Sequence, residues 1–337
     1  MAEYINIKGQ NIEVVSSDPA NPTTGQIWYN STSNTLKGFS VTTAGAWASG
    51  ATMPYAVAEG GGVGPQTAGL QFAGNPGSKN TSLEYDGSTW TSGGNLNSGR
   101  GDIAGEGSQT SALAMGGSQA PSGYPVGGDL AESYNGTTWA VEATIPTPRY
   151  GAASAGQIET DALLIGGYNG SAMTDTSEYN GTAWTSVGNL TTASYYFPGF
   201  GTQTAAVITG GGAAPGYFNP TRTEIWNGST WTGGTAYPIS FFIRGSGAGL
   251  QTAGMVFGGQ FTPGVNTYTA ATNYYDGSTW SSQANLPVAK TGMQYCSGNA
   301  SQSSALAIGG SISTGATGTV EEWTGAGAPT TVTITAS

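Results

Sequence analysis

The segment EYDGSTW (residues 84–90) is the clearest sign of how this chain folds, because close variants of it return four more times. The other copies are YNGTTW (134–139), YNGTAW (179–184), WNGSTW (226–231) and YDGSTW (275–280). Each places Asp-Gly or Asn-Gly between two β-prone segments, which is a strong signal for a β-hairpin. A two-residue type I′ turn would pair Tyr85 with Ser88 and Leu83 with Trp90, leaving Tyr85 and Trp90 as diagonal neighbours on one face. The sequence therefore predicts the same aromatic hairpin in five places.

A second marker recurs between the hairpins, a polar turn followed by a short apolar strand that ends in small residues. Its copies are QTAGLQFAG (66–74), QTSALAMGG (109–117), ETDALLIGG (159–167), QTAAVITGG (203–211), QTAGMVFGG (251–259) and QSSALAIGG (302–310). Tryptophans recur every 43 to 49 residues, at Trp47, Trp90, Trp139, Trp184, Trp231 and Trp280. About four strands fit into one such period, which is typical of a propeller blade. We assign these six tryptophans a structural role in the repeat.

The double glycine, the Glu-aromatic strand after it and the later tryptophan together resemble the kelch repeat, from about residue 47 to residue 323. This resemblance implies an all-β fold, a six-bladed kelch-like β-propeller. The sixth copy has its double glycine (Gly309 and Gly310) but no Trp-bearing partner strand after it. We predict that the segment around Trp47 supplies the outermost strand of the sixth blade, since closing the ring leaves few exposed strand edges.

The sequence divides into three predicted parts. Residues 1–40 form a short attachment segment with a proline-containing linker and a hairpin whose arms are IWYN (27–30) and TLKGF (35–39). Residues 41–325 form the propeller. Residues 326–337 form a strand-like tail, whose alternating sequence predicts a strand open to pairing with a neighbouring subunit.

Strand direction predicts where a ligand would bind. Strands of a blade alternate in direction, so the Gln-Thr turns and the Asn/Asp-Gly turns share one face. The opposite face, called the irregular face below, carries the variable loops 117–129, 167–175, 212–222 and 259–270 and the inter-blade connections 191–200 and 235–244. Variable aromatic loops on a rigid scaffold commonly bind ligands, although such rings also fold back over the blades. The candidate binding residues are Tyr124, Tyr168, Tyr195, Tyr196, Tyr217, Phe218, Phe261 and Tyr268.

Four cations complete the predicted site. Arg100, Arg149 and Lys290 each lie ten residues after a hairpin tryptophan, and Arg244 lies close to the equivalent position. As binding residues they would offer positive charge near the central channel to an anion or an acidic sugar. The alternative is a structural role, in which they pair with carboxylates such as Asp102 or with loop carbonyl groups.

The composition argues against catalysis. The chain has no histidine, which excludes Ser-His-Asp and Cys-His nucleophiles and His-containing zinc or copper sites. The glutamates at one predicted repeat position favour a shared structural role over a catalytic pair; they are Glu84, Glu132, Glu178, Glu224 and Glu322. We therefore predict no enzymatic activity, no cofactor and no metal site, with a glycan-cleaving propeller as an alternative.

The net charge of −11, without basic runs, argues against nucleic-acid binding and against adhesion to anionic membranes. The first residues lack the pattern of a secretory signal, and no segment is apolar for long enough to span a bilayer. We predict synthesis in the cytoplasm of the producing cell, without membrane insertion.

The run GQIWYN (25–30), the following LKGF (36–39) and the hairpin that ends in Trp47 resemble the leader of bacteriophage tail-fibre and virion structural proteins. This resemblance implies a virion structural protein that residues 1–40 attach to other virion proteins, as a homo-oligomer. The propeller would then contact a host surface glycan or protein, or decorate the particle. A bacterial lectin-like glycan-binding module is the alternative outside phage biology.

Overall fold

The computed structural model describes residues 12–20, 22, 25–41, 44–119, 128–212, 221–239, 242–261, 267–293, 295–297, 300–326 and 329–334. These residues form β-strands and no helix, and so none that could cross a membrane. The chain divides into two compact units. The larger unit holds residues 46–324, and the smaller unit holds residues 1–45 together with residues 325–337.

The first half of the chain contains the strands β1 (Glu13–Val15), β2 (Ile27–Asn30), β3 (Thr35–Val41), β4 (Ala46–Ser49), β5 (Gly61–Val63), β6 (Gly69–Phe72), β7 (Ser82–Tyr85), β8 (Trp90–Ser92), β9 (Ala104–Ser108), β10 (Ser111–Met115), β11 (Ala131–Tyr134), β12 (Trp139–Val141), β13 (Ala153–Gly156), β14 (Ala162–Ile165), β15 (Thr176–Tyr179) and β16 (Trp184–Ser186). The second half contains β17 (Gly199–Thr202), β18 (Ala205–Thr209), β19 (Thr223–Trp226), β20 (Trp231–Gly233), β21 (Phe242–Ile243), β22 (Ser246–Leu250), β23 (Ala253–Phe257), β24 (Gln260–Phe261), β25 (Thr267–Tyr268), β26 (Thr272–Tyr275), β27 (Trp280–Gln283), β28 (Tyr295–Ser297), β29 (Ser304–Ile308), β30 (Ser311–Ile312), β31 (Gly315–Ala316), β32 (Val320–Thr324) and β33 (Pro329–Ile334).

In the larger unit, successive repeats form successive antiparallel sheets. Four sheets have four strands each: β9–β12, β13–β16, β17–β20, and the set β22, β23, β26 and β27. Strands β5–β8 form a further set of four, to which β28 adds in parallel alongside β5. The last repeat pairs β29 with β32, and β32 with β4, the strand that carries Trp47.

The first strands of neighbouring sheets lie against one another, from β5 through β9, β13, β17 and β22 to β28. Several of them consist largely of small residues, as in GGV (61–63), ASAG (153–156) and SGAGL (246–250). Space between the sheets is tight here: a Cβ on Gly247 of β22 would lie 2.5 Å from the carbonyl oxygen of Gly199 in β17. The small residues therefore let the sheets approach closely at their inner ends.

The aromatic hairpins form, but with a wider turn than the two-residue turn predicted. Tyr85 pairs directly with Trp90, and Leu83 pairs with Ser92, so residues 86–89 make a four-residue loop. The predicted register was therefore wrong. The contact between the two rings is present all the same, because directly opposite residues share one face of the ribbon.

The wider turn is stabilised by the side chain that opens it. A type I′ turn needs positive φ at both central residues, and within this loop only Gly87 has it, at 93°. Asp86 Oδ1 instead accepts hydrogen bonds from the backbone N–H groups of Ser88 (2.8 Å) and Thr89 (2.7 Å). Asn and Asp favour such local bonds, so the same residues support two turn geometries.

Each repeat tryptophan packs against the aromatic residue directly opposite. The distances between ring centroids are 4.7 Å for Tyr85–Trp90 and Tyr275–Trp280, 4.9 Å for Tyr134–Trp139 and Tyr179–Trp184, and 5.3 Å for Trp226–Trp231. In the last repeat Trp47 takes this place, 5.2 Å from Trp323. Such aromatic pairs add roughly 0.5–1.5 kcal/mol each beyond the area they bury.

Glutamines of the polar turns connect neighbouring repeats. Gln109 Nε2 donates to the carbonyl oxygens of Gly69 (3.0 Å) and Tyr85 (2.7 Å) in the preceding repeat. Gln203 and Gln251 make the corresponding pairs of bonds to their own preceding repeats. The recurrence of glutamine in the second marker thus has a structural explanation.

The five glutamates predicted to share one repeat position fall into two positions. Glu84, Glu178 and Glu322 lie third in their strands, and Glu84 and Glu322 accept hydrogen bonds from tyrosine hydroxyl groups of a neighbouring repeat. Glu132 and Glu224 lie second in their strands, are buried and face arginines. The prediction of one shared position was wrong, because a shift of one residue along a strand moves a side chain to the other face of the sheet.

The smaller unit is a four-stranded sheet in the order β1, β2, β3, β33. Its buried Trp28 donates from Nε1 to Asp18 Oδ1 (3.0 Å), which also accepts from Asn30 Nδ2 (2.8 Å). Lys37 Nζ donates to Asp18 Oδ2 at 2.6 Å. These bonds, with that from Lys37 first in importance, lower the pKa of Asp18 to about 2. The ionised carboxylate ties β2 and β3 to the segment before them.

The unit boundaries differ in detail from the three predicted parts, 1–40, 41–325 and 326–337. They fall after residues 45 and 324, and the C-terminal residues belong to the smaller unit. Strand β33, expected to be open to a neighbouring subunit, pairs antiparallel with β3 of its own chain.

Candidate functional site

One residue shortly before each innermost strand adopts the left-handed backbone conformation. The φ values lie between 51° and 59° for Glu59, Asp102, Gly151, Tyr196, Arg244 and Gly292, and we call these six residues the belt. Backbone hydrogen bonds join belt residues from repeat to repeat, from N–H to carbonyl oxygen, for the pairs Glu59–Gly292 (2.8 Å), Gly292–Arg244 (3.0 Å), Arg244–Tyr196 (2.8 Å), Tyr196–Gly151 (2.7 Å) and Gly151–Asp102 (2.9 Å). The belt thus gathers residues from six repeats into one hydrogen-bonded series.

Four of the six belt positions carry large side chains in spite of their backbone conformation. The left-handed region costs a residue with a Cβ roughly 1–2 kcal/mol relative to the right-handed one. Residues held in this way concentrate at functional sites. The belt is therefore a candidate location for a binding site.

The belt side chains form a mixed cluster around Arg244. The guanidinium group of Arg244 pairs with Glu59, lies 3.7 Å from Asp102 Oδ1 and stands 3.8 Å from the centre of the Tyr196 ring. The second oxygen of Glu59 accepts a hydrogen bond from Asn75 Nδ2 at 3.0 Å. Arg244 is thus held by a carboxylate, a second carboxyl group and a cation–π contact together.

The carboxyl group of Asp102 has a strongly raised pKa. Burial raises the pKa of Asp102 to about 7, and a hydrogen bond from the Tyr196 side chain offsets part of that rise. An aspartate with this pKa changes its protonation state near neutral pH, whereas an ordinary aspartate ionises near pH 4.

Two belt glycines leave the space that the larger side chains occupy. A Cβ on Gly151 would come within 2.6 Å of Tyr196 Cε1, and a Cβ on Gly292 within 3.3 Å of Glu59 Cγ. Glycine therefore lets the side chains of Tyr196 and Glu59 lie directly over the backbone of the adjacent belt residues.

A cavity of about 440 Å³ lies beside this cluster. Its volume falls within the usual range for small-ligand sites, roughly 300–1,000 Å³. All lining residues belong to inter-blade connections or second-to-third loops and therefore to the irregular face: Glu59, Tyr195, Tyr196, Gly212, Ile243, Arg244, Gln260, Tyr268, Thr291 and Ser311.

The cavity combines aromatic rings with neutral polar groups. Tyr195, Tyr196 and Tyr268 contribute half-buried rings to the lining. The side chains of Gln260 and Ser311 have no hydrogen-bond partner in the part of the chain that the structure describes. These two groups are placed to donate to, or accept from, a ligand in the cavity.

Further tyrosines support the cavity rings from behind. Tyr168 packs edge-on against Tyr195, with centroids 5.0 Å apart, and Tyr150 lies 5.5 Å from Tyr168 and 6.1 Å from Tyr196. Tyr195 and Tyr196 are 5.1 Å apart. The predicted residue Tyr168 thus positions the site without lining it.

The structure brings four of the predicted binding residues together in the cavity lining, namely Tyr195, Tyr196, Arg244 and Tyr268. Phe261 is half-buried in β24 and does not line the cavity. The remaining aromatic predictions lie outside the described residues: Tyr124, Tyr217 and Phe218.

Three of the four predicted cations are placed elsewhere, and a ligand-binding role for them is corrected to a structural one. Arg100, Arg149 and Lys290 are at most 1% exposed. Arg100 pairs with Glu132 and Lys290 with Glu321, each at 2.5 Å, and Arg149 donates to two backbone carbonyl groups at 3.1 and 3.0 Å. A buried cation needs such partners because an uncompensated charge inside a protein is very unfavourable.

The sequence alone did not identify Glu59, Gln260 or Tyr150 as part of this region. Each of them lies at a recurring position of the repeat: Glu59 and Tyr150 shortly before an innermost strand, and Gln260 directly after a double glycine. A column-by-column comparison of the six connections would have aligned Glu59 with Arg244, although the two residue types differ.

The cavity shows no arrangement for catalysis by paired carboxylates. Both oxygens of Glu59 are engaged, and Asp102 does not line the cavity. The described residues also contain no cluster of three or more His, Cys, Asp or Glu side chains that could hold a metal ion. The lining offers aromatic side chains and polar groups to a small ligand.

Comparison with known proteins supports the fold. The chain is similar to the solved structure described as "Structure of YjhT", a kelch-like β-propeller type of fold, with 13% identity and a TM-score of 0.65. The match covers 80% of this chain and 95% of YjhT. No family model and no curated protein sequence matches the chain. The prediction of an all-β, propeller-like fold is confirmed at this level, and the similarity carries no information on function.

Proposed function

We propose that this chain is a non-enzymatic bacteriophage virion structural protein, a tail fibre, appendage or decoration protein, that presents a six-bladed β-propeller to the host surface. Residues 1–40 attach it to other virion proteins, it acts as a homo-oligomer, and its place is the particle surface or tail. The observation that carries the binding role is the tyrosine-lined cavity of about 440 Å³ on the irregular face.

Contacts between the first and last repeats support a closed ring of six blades. Strand β28 pairs with β5, and β4 pairs with β32. Gln66 Nε2 donates to Thr324 Oγ1 (3.4 Å), and the belt bond from Glu59 to Gly292 joins the same two repeats. Ring closure would hold the cavity walls, which come from several repeats, in a fixed geometry.

The chemistry of the cavity favours a saccharide as the ligand. The face of an aromatic ring carries negative potential, which attracts the C–H groups of a sugar. Neutral polar side chains such as Gln260 and Ser311 match hydroxyl groups as donors and acceptors. A host surface glycan is therefore the proposed contact, and a host protein carrying such a glycan is included.

The virion setting is supported by the sequence of the smaller unit. The GQIWYN and LKGF segments resemble the leader of virion structural proteins, and both lie in the sheet of β2 and β3. Release by host lysis would bring such a protein outside the cell.

The binding role is tested with the fluorescently labelled full chain on a panel of bacterial cells, with and without stripped surface polysaccharide. We expect saturable binding that stripping abolishes and that Tyr268→Ala weakens by about tenfold or more. Tyr29→Ala, a matched truncation of a half-buried tyrosine in the smaller unit, should leave binding unchanged. Binding to no strain, or equal binding by the Tyr268 variant, would contradict the proposal.

The two alternatives predict different results in further measurements. A bacterial lectin-like module would bind the same glycans but would not copurify with phage particles from a lysate. A glycan-cleaving enzyme would release new reducing ends from the bound polysaccharide, whereas the proposed protein leaves the polysaccharide intact.

A further inference from the structure

The charges at the cavity indicate which class of saccharide it accepts. We propose that the cavity binds uncharged saccharides and discriminates against acidic ones such as uronic acids. This inference rests on the proposed saccharide-binding function and adds a selectivity to it. It reverses the expectation, drawn from the cations in the sequence, of an acidic-sugar contact.

The first reason is that Arg244, the one cation among the lining residues that the structure describes, is already paired. The guanidinium group of Arg244 contacts Glu59, approaches Asp102 to 3.7 Å and covers the Tyr196 ring at 3.8 Å. A carboxylate ligand would have to compete with these groups for the same N–H donors. Competition of this kind removes most of the advantage that arginine normally gives to anion binding.

The second reason is the sign of the remaining charge. Two carboxyl groups, those of Glu59 and Asp102, stand around the single guanidinium group of Arg244. The local charge is therefore neutral when Asp102 is protonated and negative when it is ionised. An incoming anion gains no net attraction in the first case and is repelled in the second.

The third reason is that the backbone holds Arg244 in place. Its N–H donates to Tyr196 O (2.8 Å), and its carbonyl oxygen accepts from Gly292 N–H (3.0 Å). These two bonds hold the backbone of Arg244 in its left-handed conformation, and Glu59 pairs with its side chain. Turning the guanidinium group toward a ligand would separate it from Glu59 and leave that carboxylate without its cation, which is unfavourable in a partly buried site.

Apart from Glu59 and Arg244, the polar lining groups within the described residues carry no charge. Gln260, Thr291 and Ser311 present amide and hydroxyl groups, which serve both as donors and as acceptors. A sugar hydroxyl also has both roles, whereas a carboxylate only accepts. The lining therefore complements hydroxyl groups better than it complements an anion.

The experiment measures the affinity of the full chain for matched glycosides by titration calorimetry at pH 7.5. The probes are methyl glucoside against methyl glucuronide and methyl galactoside against methyl galacturonide, since each pair differs mainly in the carboxylate. We expect the neutral member of at least one pair to bind about tenfold or more tightly than its acidic partner. If the acidic members bind as tightly as the neutral ones or more tightly, the proposed selectivity is wrong but the saccharide-binding function stands. If no glycoside binds, both the selectivity and the proposed saccharide binding are contradicted.

Two variants with the same charge change locate the effect. Glu59→Gln keeps the shape of the side chain but removes the carboxylate that pairs with Arg244, so the preference for the neutral member should fall by about tenfold. Asp86→Asn also removes one negative charge, in a hairpin turn where other repeats carry Asn, and should leave the preference as it is. An unchanged preference in Glu59→Gln would contradict the role assigned to the Glu59–Arg244 pair.

Discussion

Replacing Asp102 by Asn is a direct test of the electrostatics of the belt. Burial raises the pKa of Asp102 from 3.8 to about 7, so the folded protein keeps a proton on this carboxyl group at pH values where the unfolded chain has released it. Protonation therefore favours the folded state. This stabilisation is fully present below about pH 4 and is lost as the pH rises through the folded pKa near 7.

The size of the effect follows from the two pKa values. With a pKa of 3.8 in the unfolded chain and about 7 in the folded protein, the carboxyl group stabilises the fold by about 3 kcal/mol at pH 5 and by almost nothing at pH 8. Asn has nearly the same shape, accepts a hydrogen bond from Tyr196 through Oδ1 and does not titrate. The free energy of unfolding of the wild type should therefore fall by about 3 kcal/mol relative to Asp102→Asn between pH 5 and pH 8.

The assay is equilibrium urea unfolding of both proteins at pH 5, 6, 7 and 8, since other titrating groups affect the two proteins alike. We expect the stability difference between variant and wild type to increase steadily with pH and to level off above pH 7.5. A constant difference across the four pH values would refute the assignment of a raised pKa to Asp102.

Two further predictions concern a buried ion pair and a belt glycine. Arg100→Met leaves the buried Glu132 without its cation, so the free energy of unfolding measured with urea should fall by about 3–5 kcal/mol. Lys37→Met removes a cation from an exposed ion pair and should lower the free energy of unfolding by at most about 1 kcal/mol. Equal losses in the two variants would argue against a buried Arg100. Gly151→Ala would place a Cβ 2.6 Å from Tyr196 Cε1, so glycoside affinity measured by calorimetry should fall by about tenfold or more; an unchanged affinity would show that the Tyr196 ring does not contribute to binding.

The repeat architecture was predictable because its signals are local. Turn residues, a double glycine and an aromatic pair recur at a regular spacing, and each constrains its own few residues of backbone. The register of the hairpin was not predictable in the same way. Asp86 is compatible with a two-residue turn and with the wider loop, and the choice depends on hydrogen bonds to Ser88 and Thr89 that form only in the loop.

The location of the candidate site was predictable in part. The alternation of strand direction indicated the irregular face, and Tyr195, Tyr196 and Tyr268 do line a cavity there. The belt was not visible in the sequence, because its members share a backbone conformation and not a residue type. Glu59 and Arg244 are 185 positions apart in the sequence (244 − 59), and their pairing depends on how the repeats are arranged.

The four predicted cations show that a position in the repeat does not by itself determine whether a side chain reaches the cavity. The spacing of Arg100 from its tryptophan suggested a place near the channel, but the side chain is buried with Glu132 of the same repeat. Arg244, which departs from that spacing, is the one that reaches the cavity. Burial of a long side chain depends on partners from other strands, and the spacing along the chain does not contain that information.

The most direct measurement is a crystal structure of the full chain with the neutral glycoside that binds it most tightly in solution. We expect the sugar ring in the cavity of the irregular face, against Tyr196 or Tyr268, with hydroxyl groups bonded to Gln260 or Ser311. A sugar bound at the Asn/Asp-Gly turns of the opposite face, or on the smaller unit, would contradict the proposal that the irregular face is the binding face.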